Sequence, residues 1–330
     1  MMRFDTRVAS AEEKMFWRVF VWGALMLLAV SALALFGGAE FYTLGEILGN
    51  SDATTIVFSL RLPRILMAVL VGGALAVVGT TYQSLFRNSL ASPFSLGVSS
   101  GAALGASMAL LVGLSTTTSA ILAAVASIAL ILTVSRRSIA RTGDTILLVG
   151  IVFSFFCSSI LTLVQYLSDY SQLFRMSRWM MGGIPVPEIS DLVLGSLLIA
   201  TLCAWVVRNR DALDLMWFGD DVATLKGVNV DRVYRAAFLV TSVVVGWIVA
   251  QCGVVGFVGI IVPAGVRLLV GLRHRYVAPL SFLLGALLVV SCDLLGRVVS
   301  PPFEVPVGVF TAVVGGPVFM ALLLTGRRAR

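Results

Sequence analysis

Charged residues are scarce in this sequence. Only 12% of the 330 residues are Asp, Glu, Lys or Arg, whereas 58% are hydrophobic and the mean hydropathy is +0.99. A soluble domain of this length would carry about twice that share of charge. The apolar residues form roughly ten runs, each near the ~20 residues that a membrane-spanning helix needs. The composition excludes a sizeable soluble domain and predicts an all-α integral membrane protein with about ten transmembrane helices.

Histidine and lysine are also rare, since the chain has only His274, Lys14 and Lys226. Neither lysine follows a glycine-rich turn of the kind that binds phosphate, so ATP hydrolysis is not predicted. The segment Gly97–Gly101 matches the Gly-x-Ser-x-Gly pattern of a serine hydrolase. A serine nucleophile needs a nearby base, and the single histidine lies five spans further along. We therefore predict no catalytic residue and interpret these glycines, with Gly105, as helix-packing positions.

Cysteine is sparse and does not occur as a CxxC pair. All four cysteines lie within apolar runs, which is typical of small core residues. They are Cys157, Cys203, Cys252 and Cys292. We expect this chain to bind no metal and no cofactor.

The net charge of +7 could indicate nucleic-acid binding, but its distribution along the chain favours a membrane topology. With a cytoplasmic N-terminus and ten crossings, 19 of the 24 Lys and Arg residues fall on the inner side and five on the outer side. An excess of positive charge inside is the rule for membrane proteins. The sequence therefore predicts a multi-pass protein with both termini in the cytoplasm and no nucleic-acid partner.

The hydropathy pattern places the spans as follows: 16–36, 62–83, 93–112, 118–135, 145–167, 191–208, 234–255, 257–271, 277–296 and 306–325. Pro263 predicts that the eighth span is broken or tilted. The outer loop 37–60 is acidic, and the outer segment 168–190 is predicted to contain a short surface helix. The inner loop 209–233 is the longest polar stretch and is predicted to form two short helices, with Asp220 as an N-cap and Gly227 after a C-terminus. It is either a solvated loop or a docking platform for a cytoplasmic partner.

Several blocks of residues, in order along the chain, resemble one known family. These blocks are Arg61–Arg64, Val71–Ala76, Gln83, Arg87-Asn88, Leu90-Ala91, Leu96–Ala102, Gly256–Pro263, Arg267, Asp293–Arg297, Glu304–Val309 and Gly315–Phe319. They are similar to FecCD-type permease subunits of ABC importers for iron chelates, such as siderophores and haem, and for cobalamin. The resemblance covers the chain from about Arg61 to its C-terminus. It implies the type II ABC importer fold, with ten spanning helices in a single permease domain, residues 1–330.

The resemblance also implies roles for particular residues. Arg61, Arg64 and Arg297 match outer arginines that pair with glutamates of a substrate-binding protein. Segment 213–227 matches helices that enter a groove on the ATPase subunit, with the candidate residues Leu213, Asp214, Gly219, Asp220, Val222, Leu225 and Gly227. Asn88, Leu90, Gly143 and Asp144 match turns that close the pathway, and the span near 146–167 matches a helix that lines it.

The sequence departs from the family pattern at two positions. Ser89 stands where the family usually has proline, which predicts a less rigid turn. Ala264 stands where the family usually has histidine. A pathway that releases a bulky cargo is expected to bind it weakly, and Met180 and Met181 lie near the predicted mouth.

The sequence thus predicts the permease subunit of a binding-protein-dependent ABC importer that carries a metal chelate across the bacterial inner membrane. The expected partners are a second copy of the chain, two cytoplasmic ATP-binding subunits that hold ATP and Mg²⁺, a periplasmic or lipid-anchored binding protein, and membrane lipid. An ion-coupled secondary transporter and a membrane-embedded enzyme remain the alternatives. The acidic residues Asp293 and Glu304 are the candidates for a proton relay.

Overall fold

The computed structural model describes residues 2–38, 45, 51–137, 143–299 and 303–326, and within them the side chains of all but 2–11, 135–137, 143–144, 323 and 325–326. Every regular element in these ranges is a helix. The helices are α1 (Met2–Phe36), α2 (Ser51–Phe86), α3 (Val98–Val112), α4 (Thr116–Arg137), α5 (Gly143–Leu167), α6 (Tyr170–Met180), α7 (Ile189–Phe218), α8 (Asp220–Leu225), α9 (Val230–Cys252), α10 (Val258–Val270), α11 (His274–Val298) and α12 (Val307–Gly326). A chain this apolar forms helices because only a helix satisfies its own backbone hydrogen bonds in lipid.

Ten of these helices are apolar, as the sequence predicts. Seven are long and apolar enough to cross a membrane, namely α1 from Glu12 onward, α2, α4, α5, α7, α9 and α11. The other three, α3, α10 and α12, are shorter apolar helices. The all-helical membrane fold is thereby confirmed.

The structure corrects the predicted ends of two spans. Helix α2 begins at Ser51, so residues 51–60 of the predicted outer loop are helical and include a π-helical segment, Ile56–Arg61. Helix α7 continues to Phe218, so 209–218 is not a separate element and the inner connection is 219–229. Two acidic residues of the predicted outer loop, Glu40 and Glu46, lie outside the described residues.

Helix α10 is short, but it continues through Pro263 without the break that this proline predicts. It has 13 residues and spans about 20 Å, less than the ~30 Å hydrocarbon thickness. The backbone between α9 and α10 is irregular, and Phe257 has a positive φ of 65° directly before α10. The eighth predicted span is therefore a short helix preceded by a non-helical segment.

Two compact units make up the chain. The first comprises Met1–Thr80, Val186–Val193 and Phe257–Arg330. Within it, α11 contacts α1, α10 and α12. Helix α2 approaches α11 so closely that a side chain on Gly72 would meet the carbonyl oxygen of Gly285. Small residues allow this approach where lipid provides no hydrophobic driving force between helices.

The second unit comprises Thr81–Pro185 and Leu194–Gly256. Helix α3 packs on α4, α5 and α9, and α4 packs on α9. A side chain on Gly101 would clash with Ser127, and one on Gly105 would clash with Ala123. Ser99, the serine of the hydrolase-like pattern, is buried at 1% exposure in this packing. The interpretation of Gly97–Gly105 as a packing stripe is confirmed.

None of the four cysteines, all within the described residues, forms a disulfide. Cys157, Cys252 and Cys292 are buried, and Cys203 is partly exposed in the apolar part of α7. These positions agree with the prediction of small core residues.

Candidate functional site

An ion-paired cluster joins α2, α11 and the segment before α12 in the first unit. Arg64 of α2 lies 2.9 Å from Asp293 of α11 and 2.9 Å from Glu304, which precedes α12. Arg297 lies 3.2 Å from the second oxygen of Asp293, one helical turn away. The Asp293 side chain is only 2% exposed, whereas that of Glu304 is 49% exposed. We call these residues, with Arg61, the arginine–carboxylate cluster.

Two arginines of this cluster also hold the end of α1. Arg297 donates to the carbonyl of Ala34 at 3.2 Å, and Arg61 donates to the carbonyl of Leu35 at 3.1 Å. These carbonyls lie in the last turn of α1, where a helix has no partner for them and carries partial negative charge. The guanidinium groups therefore cap α1 as well as balance the carboxylates.

The cluster is relevant to two predictions from the sequence, the candidate proton relay and the docking arginines. Asp293 and Glu304 both pair with arginine, so their charges are compensated within the chain. The sequence predicts all three docking arginines on the outer side of the membrane, and the structure brings Arg64 and Arg297 to the same carboxylate. The side chain of Arg297 is only 7% exposed. The contact of the three docking arginines with a binding protein stays a prediction.

The candidate coupling segment is short and well anchored. Leu213 is fully buried on the last turns of α7, and Asp214 beside it is partly exposed. Helix α8 follows after Gly219, which adopts a φ of 131° that favours glycine. The helix begins at Asp220, so Gly219 is the N-cap and the predicted cap at Asp220 is wrong by one residue. Gly227 lies beyond the C-terminal end with a φ of 85°, as predicted.

Helix α8 exposes two apolar side chains beside the exposed polar residues Asp221 and Thr224. Leu225 is 87% exposed and Val222 is 39% exposed, whereas Ala223 is buried. Phe218, directly before Gly219, is also exposed, at 65%. A six-residue helix with only one buried residue gains little from packing within the chain. These exposed side chains are available for contact with another molecule.

Asp220 connects α8 to its neighbours through polar contacts. Its Oδ2 lies 3.5 Å from the Tyr234 hydroxyl of α9. Burial raises the pKa of the Asp220 carboxyl, the positive charge of Arg87 and the Tyr234 hydroxyl oppose that shift, and the negative charge of Asp221 adds to it. The Tyr234 hydroxyl itself donates to the carbonyl of Leu85 in the last turn of α2, at 2.7 Å.

The candidate gate turn follows α2 and is held by local hydrogen bonds. The backbone N–H of Leu90 donates to the side chain of Asn88 at 2.9 Å, and the N–H of Ala91 donates to the Asn88 carbonyl at 3.1 Å. The Gln83 side chain donates to the carbonyl of Ser89 at 2.9 Å. These bonds restrain the turn without the proline that the family usually has at position 89.

The other predicted pathway residues lie on α5 and α6. Gly143 and Asp144 form the first turn of α5. Helix α6 confirms the predicted surface helix and starts with a capping box of Asp169 and Gln172. Met180 at its end accepts a hydrogen bond from Gln165 at 3.0 Å, and Met181 is 49% exposed.

Sequence reasoning missed Tyr234 and the position of Arg87. Tyr234 lies near the start of a predicted span, where an aromatic residue is usually an interfacial anchor. The sequence singles out Arg87 only as part of a block that resembles the family, yet this residue adopts an unusual positive φ of 51°. No signal in the sequence places either residue beside Gly219 and Asp220, because that proximity arises from packing between distant segments.

The chain matches known proteins over nearly its whole length. Residues 24–325 match the FecCD transport family. The chain is 37% identical to the hemin transport system permease protein HmuU of Yersinia pestis, over 93% of this chain and 95% of that protein. It is 36% identical to the vitamin B12 import system permease protein BtuC of Vibrio cholerae, over 82% of each chain.

A solved structure has the same fold. It is a metal-chelate type ABC transporter in an inward-facing conformation, with a TM-score of 0.85, 28% identity, and coverage of 95% of this chain and 99% of that chain. The sequence match, the ten apolar helices and this structural match agree on one family. The chain belongs to the FecCD transport family.

Proposed function

We propose that this chain is the permease subunit of a binding-protein-dependent ABC importer and carries a metal chelate such as a ferric siderophore, haem or cobalamin. The names of its relatives and the fold of the metal-chelate transporter support this proposal. Two copies of the chain would form the pathway between them, in the bacterial inner membrane with both termini in the cytoplasm. Two cytoplasmic ATPase subunits would supply the energy, and the chain itself would perform no covalent chemistry.

The exposure of two apolar side chains on α8 is the observation that carries this proposal. Leu225 and Val222 project from a helix whose flanking segments are anchored by Leu213 on one side and by the Asn229 cap of α9 on the other. Exposed apolar side chains on a short helix between two anchored segments are typical of a protein-docking site. The predicted topology puts α8 in the cytoplasm, where an ATPase subunit would bind.

The proposed transport cycle assigns different tasks to the described residues. A loaded binding protein docks on the side of the arginine–carboxylate cluster, where Glu304 and part of Arg64 are exposed. Closure of the ATPase subunits on ATP moves α8, and the turn containing Asn88 and Leu90 opens or closes the inner end of the pathway. Differential binding of nucleotide to the two conformations supplies the shift between them.

The proposal predicts that Leu225→Asp abolishes functional coupling to an ATPase. Because a charged side chain on the docking face loses a central apolar contact, we expect ATPase binding to weaken by at least about tenfold. The matched control is Leu114→Asp, since Leu114 is also exposed, at 63%, and lies in the predicted outer turn between α3 and α4. ATPase activity in liposomes, with and without loaded binding protein, measures both variants against the unchanged chain.

Equal losses in both variants would contradict a docking role for α8. Substrate uptake by the unchanged chain in liposomes without any ATPase would contradict the importer proposal itself and favour a secondary transporter.

A further inference from the structure

The Tyr234 hydroxyl lies where three segments of the second unit meet. It donates to the Leu85 carbonyl at 2.7 Å and lies 3.5 Å from Asp220 Oδ2. A tyrosine has a single O–H to donate. One donor therefore faces two acceptors, one in the last turn of α2 and one on the first residue of α8.

The position of this hydroxyl is fixed by an aromatic cluster. The Tyr234 ring stacks on Phe238 at 5.8 Å and meets the Phe86 ring at 6.3 Å. Phe238 also packs against Tyr82 at 5.8 Å. Aromatic pairs at these separations favour particular orientations, so the Tyr234 hydroxyl has little freedom to move away from the two acceptors.

Arg87 provides a second link between α8 and the gate turn. Its Nη1 lies 3.5 Å from the point where a Cβ on Gly219 would stand, so the guanidinium is a close neighbour of Gly219. Arg87 is also the residue immediately before Asn88, and its positive φ of 51° turns the chain out of α2. A displacement of Gly219 would therefore also displace Arg87, the residue that leads into the turn.

The turn itself is suited to move as one body. The N–H of Asn88 donates to the Gln83 carbonyl at 3.2 Å, and the Gln83 side chain donates to the Ser89 carbonyl at 2.9 Å. These bonds tie the turn to the same end of α2 that Tyr234 binds. A movement of Leu85 is therefore coupled to a movement of Asn88.

We propose that Tyr234, with Asp220 and Arg87, forms a junction that transmits the movement of α8 to the gate turn 87–91. This inference rests on the proposed function, because it takes α8 as the segment that an ATPase moves. Tyr234 acts here as a positioning residue. In one conformation its hydroxyl binds Leu85, and as α8 shifts, the same hydroxyl exchanges toward the Asp220 carboxylate. We call these three residues the Tyr234 junction.

The test is hydrogen–deuterium exchange on the chain assembled with its ATPase, with and without ATP. In the unchanged protein, ATP alters exchange both in α8 and in residues 87–91. In Tyr234→Phe, the response of α8 persists, and the response of the turn falls by about two- to tenfold, the range that the loss of one ordinary hydrogen bond supports.

Tyr82→Phe is the matched control. It also removes one buried hydroxyl contact between α2 and α9, the 2.7 Å bond between Tyr82 and Thr241, but it does not touch α8. The junction predicts an unchanged response of the turn in this variant. A turn response equal to that of the unchanged protein in Tyr234→Phe, or an equal fall in both variants, would refute transmission through Tyr234.

The same experiment separates this inference from the proposed function. If ATP and the ATPase alter exchange nowhere in α8 of the unchanged protein, the docking proposal fails and the junction fails with it. If α8 responds and the turn responds identically in all three proteins, only the junction is wrong.

Discussion

The arginine–carboxylate cluster and the Tyr234 junction both join helices through polar side chains, but they differ in charge. The cluster pairs carboxylates with guanidinium groups, whereas the junction centres on one neutral hydroxyl. In the cluster, Asp293 is nearly inaccessible, accepts a hydrogen bond from Arg64 and forms an ion pair with Arg297, which also caps α1. Nε and Nη2 of Arg297 have no hydrogen-bond partner among the described residues. In the junction, one hydroxyl faces two acceptors and Asp220 Oδ1 has no hydrogen-bond partner among the described residues.

The difference shows how one chain can combine a fixed region with a movable one. Buried groups of opposite charge that pair with each other can exchange partners only at a high cost, because each loss leaves an uncompensated charge. A single neutral donor shared between two acceptors can change partners at a cost of about one hydrogen bond. We therefore expect the cluster to stay intact during the transport cycle and the junction to rearrange.

Removing the central carboxylate of the cluster tests its fixed character and should have the largest effect. Asp293→Ala leaves the guanidinium groups of Arg64 and Arg297 without their shared partner, and we expect the free energy of unfolding to fall by about 3–5 kcal/mol. Thermal or denaturant unfolding in detergent measures this change.

The matched control is Glu304→Gln, which alters an ion pair at an exposed site. It should cost less than about 1 kcal/mol, because exposed pairs are screened by solvent. Similar losses for both variants would show that burial does not distinguish these two carboxylates.

Removing the hydroxyl of the junction should have a smaller effect on stability. Tyr234→Phe loses the bond to the Leu85 carbonyl and should lower the free energy of unfolding by about 0.5–1.5 kcal/mol. The measurement is the same unfolding experiment, without an ATPase. A loss of unfolding free energy as large as that of Asp293→Ala would contradict the proposed difference between the two regions.

The smallest expected effect concerns pH. Since burial raises the pKa of Asp220 in the folded chain, the folded state binds more protons there than the unfolded state. The contribution of this group to stability is therefore greatest below the unfolded pKa, and it decreases as pH rises through the raised folded value. Asp220→Asn should flatten the decrease in that window, as measured by unfolding at acidic and neutral pH. A variant with the same pH profile as the unchanged chain would contradict this assignment.

Hydropathy predicted the ten apolar helices because the requirement for internally satisfied backbone groups in lipid is strict. It missed the extension of α2 to Ser51, since residues such as Asp52 and Arg61 read as the end of a span. It also placed 209–218 in the inner connection, which was predicted to form two short helices, although these residues continue α7. Hydropathy reports where a helix leaves the hydrocarbon, whereas backbone hydrogen bonding decides where the helix ends.

The candidate site was predicted in part. The three outer arginines and the coupling segment could be named from the blocks that resemble the family, and the structure brings Arg64 and Arg297 together. The sequence could not show that Arg297 is buried or that Tyr234 contacts Leu85, because the partners are 263 and 149 residues apart in sequence. Contacts of this range depend on tertiary packing and leave no local pattern.

The burial of the native cysteines has a practical consequence. A thiol reacts as its thiolate, and thiols buried in apolar surroundings are inert toward polar reagents. Three of the four native thiols are buried, and that of Cys203 lies on an apolar stretch of α7. A cysteine introduced at Leu225, which is 87% exposed, should therefore be modified selectively by a water-soluble maleimide in the otherwise unaltered chain. The native cysteines therefore need not be replaced before α8 is labelled at position 225.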